Sequence, residues 1–313
     1  MSLANLAHLH LLLNHFPTVG FSVGLGLYLI GLIRKSDDLK RASLVIFLGI
    51  GLLTIPTFMT GKAAQAAITG QEGVSDTLMA THEDAALLAF LFMTLTGALS
   101  WLGLWQYRRV SRIAGWNAAA ILLVSLVTFG LMARAADIGG EIRHPEIQAA
   151  GDATAASTEL VQGAAIQGFV NTTNWAWPTM ETLHFIGLVM LMGVVLIVNL
   201  RMLGVAKNVS FASIHRLLPW GVLGFLINVL TGIVFFITVP DQYTQNIALE
   251  YKMAVTMIAG ANVLYFTVFD EAWAVGAGND APARAKFMAS LTILLWIGII
   301  WLGRMMPFIG GSF

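Results

Sequence analysis

The chain has 313 residues, 57% of them hydrophobic and 11% charged, with a formal net charge of zero and positive mean hydropathy. That composition indicates a polytopic membrane protein rather than a large soluble core, and a neutral chain gives nucleic acid no electrostatic footing. It contains no cysteine, which excludes disulfides, cysteine-ligated iron–sulfur clusters and covalent haem attachment.

The chain opens on Ala7–Gly20, AHLHLLLNHFPTVG, which places three of its seven histidines ahead of a long apolar run. On a helix His8 and His15 share a face roughly 10 Å apart, and His10 points about 140° away from His15. No Lys or Arg occurs in the first 33 residues. The basic start of a cleaved signal peptide is therefore missing, and the first helix is expected to stay in the mature protein.

Eight segments are long and apolar enough to predict membrane-spanning helices, near 9–33, 42–61, 83–107, 113–135, 180–203, 216–239, 248–269 and 287–309. The loops after the odd-numbered segments hold 12 of the 17 basic residues. The positive-inside rule then places both termini outside, in the periplasm of a Gram-negative bacterium, with the chain in the inner membrane. The long connection Ala136–Pro178 also falls outside. It begins with the charged, turn-rich DIGGEIRHPEI and continues through an Ala-, Gly- and Thr-rich stretch, read as a weak helix or a flexible cover. It divides the chain into a first four-helix bundle (1–136), an outer loop (137–178) and a second four-helix bundle (179–313). Glycines such as Gly20, Gly24, Gly49 and Gly51 read as sites of close helix packing.

On this topology six of the seven histidines lie outside. His8, His10 and His15 open the first helix, His82 opens the third in THED, His144 is in the long loop and His184 begins the fifth. Arg134, Arg143, Lys252 and Arg304 recur at the same depth. A b-type haem needs two axial ligands and partners for two anionic propionates, and this level supplies both kinds of side chain. His10, His15, His82, His144 and His184 are thus the candidate iron ligands, with the four cations as propionate partners. The sharpest pairing is His15 with His82, from helices that both begin outside, with a bend at Pro17 bringing them to one iron. His184, with His10 or His144, would serve a second haem. His8 reads as a solvated terminal residue, and His215, beside Arg216, as an inner interfacial one.

Other chemistries fit less well. Glu181 and His184 form a Glu-x-x-His pattern, but no second such pair accompanies it, as a di-iron bundle requires. Copper or zinc on the outer histidines, with Met79 and Met180 as soft ligands, is an alternative. No midplane carboxylate or clearly broken helix pair supports transport.

The His10-x4-His15-Phe16-Pro17 opening and the later THEDAAL resemble an uncharacterised bacterial membrane family. The stretches ETLHFIGLVMLMGVVLIVNLRMLG and HRLLPWGVLGFLINVLTGIVFF are similar to a second four-helix family, itself like copper-resistance-D-type and cytochrome-b-like bundles. The resemblance implies an electron-transfer membrane subunit and supplies no catalytic residue. The expectation is therefore a membrane cytochrome with one or two non-covalent b haems, passing electrons between the quinone pool and a periplasmic redox partner. The rivals are a cofactor-free membrane anchor for a periplasmic complex and a copper-binding or copper-transporting protein.

Overall fold

Pro17 has no N–H to donate, so the first helix cannot run through it regularly. In the computed structural model, which describes residues 6–142, 159–268 and 275–309, α1 (Leu6–Leu13) passes through a π-helical turn at Phe16–Gly20 into α2 (Phe21–Ile33). The Thr18 and Ser22 hydroxyls donate back to the carbonyls of Asn14 and Thr18, at 2.9 and 2.7 Å, easing the extra residue into the turn. After a turn with Lys35 at φ +52°, Ser36 caps α3 (Asp37–Ile68), whose first turn carries Asp37 and Asp38.

The other helices are α4 (Asp76–Val110), α5 (Gly115–Glu141), α6 (Gly163–Thr172), α7 (Ala176–Met202), the short α8 (Phe211–Ile214), α9 (Leu218–Thr238), α10 (Pro240–Thr244), α11 (Ile247–Val268) and α12 (Ala283–Met305). Among the described residues seven spans are long and apolar enough to cross a membrane: Leu6–Ile33, Asp37–Ile68, Asp76–Val110, Gly115–Glu141, Ala176–Met202, Phe211–Thr238 and Ala283–Met305. The protein is all-α and multi-pass. The remaining expected segment, 248–269, is helical as α11, but it opens on Glu250 and Lys252 and is not one of the seven.

Several helices overrun their apolar windows. α3 extends to Ile68 through Lys62 and Gln65, and α5 continues through Asp137 to Glu141, where a charged loop is expected. Helical hydrogen bonding does not stop at the edge of the hydrocarbon, so hydropathy underestimates helix length.

The chain divides into two compact units: Met1–Ser100 with Gly115–Ala176 and Val234–Pro240, and Trp101–Ala114 with Trp177–Ile233 and Asp241–Phe313. In the first, backbone contact at small residues sets the packing. A Cβ on Gly51 would stand 3.3 Å from the Gly97 Cα, so α3 and α4 meet where neither has a side chain. Ser43 donates to the Gly24 carbonyl at 2.7 Å, Tyr28 to the Ala118 carbonyl at 3.0 Å, and Thr96 and Thr128 pair at 3.0 Å. These bonds join α2, α3, α4 and α5 without placing an unmatched polar group in the core.

In the second unit a Cβ on Gly224 would lie 2.6 Å from the Gly187 carbonyl oxygen, so α7 and α9 are in backbone contact there. Asn262 of α11 donates to the Met288 carbonyl of α12 at 3.1 Å. Arg201, only 1% exposed, ends α7 as a cation at a helix C-terminus. It donates to the Val209 carbonyl, to that of Gly276 at 2.8 Å and to that of Asn279 at 3.2 Å, joining the two loops at that end. Beside them the Lys286 and Lys207 ammonium groups hold the exposed Asp280 carboxyl below the usual carboxylate range.

Candidate haem-binding site in the first unit

The motif Thr81-His82-Glu83-Asp84 lies in the second turn of α4, and its three polar side chains after Thr81 reach three different segments. His82 donates from Nδ1 to the Ala135 carbonyl of α5 at 2.9 Å. Glu83 pairs with Lys62 of α3, Oε2 to Nζ 2.5 Å. The buried Asp84 accepts the Gly163 N–H at 2.8 Å, placing a carboxylate at the start of α6. Gln167 holds the same helix further along, donating to the Thr238 carbonyl at 2.9 Å. α6, the described helix of the long connection, is thereby fastened to α4.

His10 repeats the arrangement of His82. Its Nδ1 donates to the Thr57 carbonyl of α3 at 2.9 Å, with the Thr60 hydroxyl a longer contact at 3.4 Å. In both cases the ring lies over the glycine four residues beyond the acceptor. A Cβ on Gly61 would stand 3.3 Å from His10 Cε1, and one on Gly139 would stand 2.9 Å from His82 Cε1. A helix carries residues four apart on one face, so acceptor carbonyl and bare glycine together form a flat seat for an imidazole.

The chemistry follows from the hydrogen bonds. A carbonyl only accepts, so Nδ1 carries the proton in both rings and Nε2 keeps its lone pair. Among the described residues neither Nε2 makes a hydrogen bond. This is the tautomer and the carbonyl support that a metal-ligating histidine takes. A neutral imidazole held this way is the kind of donor that a non-covalent haem uses.

The other expected ligands lie elsewhere. His15 is exposed, and so is His8, which shares its face of the helix. Of the first helix's histidines it is His10, rather than His15, that is seated on a neighbouring helix, as His82 is. His144 and Arg143 lie outside the described residues. Arg134 is engaged by Glu159, Nε to Oε1 2.6 Å. His184, Lys252 and Arg304 belong to the second unit. There His184 Nδ1 meets the Thr231 hydroxyl at 2.8 Å, and that hydroxyl donates to the Ile227 carbonyl, so Nδ1 is again the protonated nitrogen. His215, in the same unit, stacks on Trp105 with ring centres 6.5 Å apart, and the Trp105 indole donates to the His215 carbonyl at 2.8 Å.

Sequence reasoning did not pick out Gly61, Gly139, Lys62, Glu83 or Asp84. The two histidine–glycine pairs are distant in the chain, and a main-chain acceptor leaves no side-chain signature.

Gly139→Ala is expected to lower haem affinity about 10–100-fold, because the new methyl displaces His82 from its carbonyl. Haem titration of the apoprotein reads the change. Gly130→Ala on the same helix has open space around its Cβ and should leave affinity unaltered. Equal affinities for the two variants would show that the seat at Gly139 does not position a ligand.

No known protein family, curated protein or solved structure matches the chain, so the functional reading rests on this chain's own residues.

Proposed function

We propose that this multi-pass membrane protein holds one b-type haem between His10 and His82 and serves as an electron-relaying membrane subunit. The carrying observation is the repeated seat: two imidazoles from α1 and α4, each with Nδ1–H on a helix carbonyl and Nε2 without a hydrogen bond among the described residues. When bound, haem iron supplies one-electron chemistry. The chain's own residues fix the imidazole tautomers, hold α3 and α4 together through Lys62 and Glu83, and fasten α6 to α4 through Asp84. Electrons would pass between a membrane quinone and a redox protein at the outer face of a bacterial inner membrane. A second haem on His184 finds no comparable seat among the described residues.

A second reading is a cofactor-free membrane anchor that docks a partner at the membrane interface. In its favour, among the described residues no group of three or more His, Asp or Glu is placed to hold a metal ion. That observation weighs against copper or zinc, which take three or four such ligands, more than against haem, which asks for two. The absorption spectrum of the purified protein separates the readings. A reduced b-type band at about one haem per chain supports the first, and a protein that neither retains nor takes up haem supports the anchor.

The orientation belongs to the same proposal: with α11 crossing as an eighth span, the Arg- and Lys-rich connections face the cytoplasm and both termini face the periplasm. The chain has no native cysteine, so single introduced thiols report cleanly. Glu72→Cys should react with an impermeant reagent in intact spheroplasts, and Asn208→Cys only after lysis. The reverse pattern would invert the topology.

A further inference from the structure

Most of the acidic residues lie on the side of the chain where basic ones are scarce, and the scarce cations differ in what they meet. In the first unit Lys62 is matched by Glu83 and Arg134 by Glu159. In the second unit Lys252 and Arg304 are matched by no carboxylate among the described residues.

Both cations stand at the same end of the α11–α12 pair. Lys252, in the second turn of α11, lays its ammonium against α12 where Gly303 leaves the helix bare. A Cβ there would stand 3.2 Å from Nζ. Arg304 is the next residue, and its guanidinium lies 5.7 Å from the centre of the Phe308 ring. His184, near enough to act on Lys252 electrostatically, supplies no negative charge. Glu250 sits two positions before Lys252, about 200° around the helix, so it faces another way. Around the cations the surface is apolar, with Trp301, Ile300 and Phe308 all exposed.

A cation beside hydrocarbon with no counter-charge is costly, and basic groups of this kind at a helix end take up anionic lipid. We propose that Lys252 and Arg304 bind the phosphate of an anionic phospholipid at the bare Gly303 position, with its acyl chains along the exposed apolar face of α12. One ligand then satisfies both features of the surface: the oxygens meet the two cations and the hydrocarbon meets Trp301 and Ile300. This site is independent of His10 and His82, so it stands or falls apart from the haem.

The test uses the full chain in nanodiscs of equal parts phosphatidylglycerol and phosphatidylcholine, with lipid retained after detergent washing measured by mass spectrometry. The native protein should keep phosphatidylglycerol over phosphatidylcholine. Each removed charge should lower that preference about fivefold, and Lys252→Met with Arg304→Gln should lower it further than either change alone. Lys252→Arg should keep the lipid. Where Lys252→Met does not fold, the exposed Arg304→Gln carries the test alone. An unchanged preference in Arg304→Gln or in the double variant overturns the proposal. Release of phosphatidylglycerol by millimolar inorganic phosphate also overturns it, since the ligand would then be a soluble anion.

Discussion

Replacing His82 with alanine is expected to remove the b-type haem spectrum from the purified protein, and replacing His10 is expected to do the same. Both side chains present Nε2 from a ring fixed through Nδ1, at 2.9 Å from Ala135 and Thr57 respectively. Loss of an axial ligand should exceed the roughly 10–100-fold loss of affinity that follows removal of an outer hydrogen-bond partner. Two ligands of one iron do not act independently, so the double variant should be no worse than the worse single one. His15→Ala and His215→Ala serve as contrasts. The first removes an exposed ring, and the second alters a stacked one in the other unit, so both should retain haem. The measurements are the reduced-minus-oxidised spectrum and haem content per chain. Full haem in both His10→Ala and His82→Ala would refute the site.

The largest loss of stability is expected at Arg201. Truncation to methionine deprives the carbonyls of Val209, Gly276 and Asn279 of a charged donor in a place that water does not reach. Hydrogen bonds to a charged group are worth about 1.5–3 kcal/mol each, and buried acceptors left unmatched cost about 1–3 kcal/mol, so the change should destabilise by at least about 3 kcal/mol. Lysine should rescue little, because a single ammonium cannot reproduce the fork that reaches two loops from Nε and Nη2. Thermal unfolding in detergent reads the effect. Protein that remains folded should keep the haem proposed for His10 and His82, since both lie in the first unit. A melting temperature equal to that of the native protein would show that the loops are held by other contacts.

The amino-acid sequence by itself determined that this is an all-helical, multi-pass membrane protein. Runs of about 20 apolar residues and a 12-to-5 division of basic side chains are properties of the linear chain, read without any contact. It also drew attention to histidines at one level, because an imidazole in an apolar helix needs a partner. Which histidines are seated on a neighbouring helix was decided only by tertiary structure. His8 and His15 share one face of the first helix, and that face is exposed, whereas His10 points about 140° away from His15. His10 is seated because Thr57 and Gly61 of another helix offer a carbonyl and an empty Cβ position. Neither is visible in the identity of His10. The likeness of Lys62, Arg134, Lys252 and Arg304 in sequence ended in the same way. Glu83 and Glu159, 21 and 25 residues away in the chain, neutralise the first two. The packing of α11 on α12 leaves the last two without a carboxylate among the described residues.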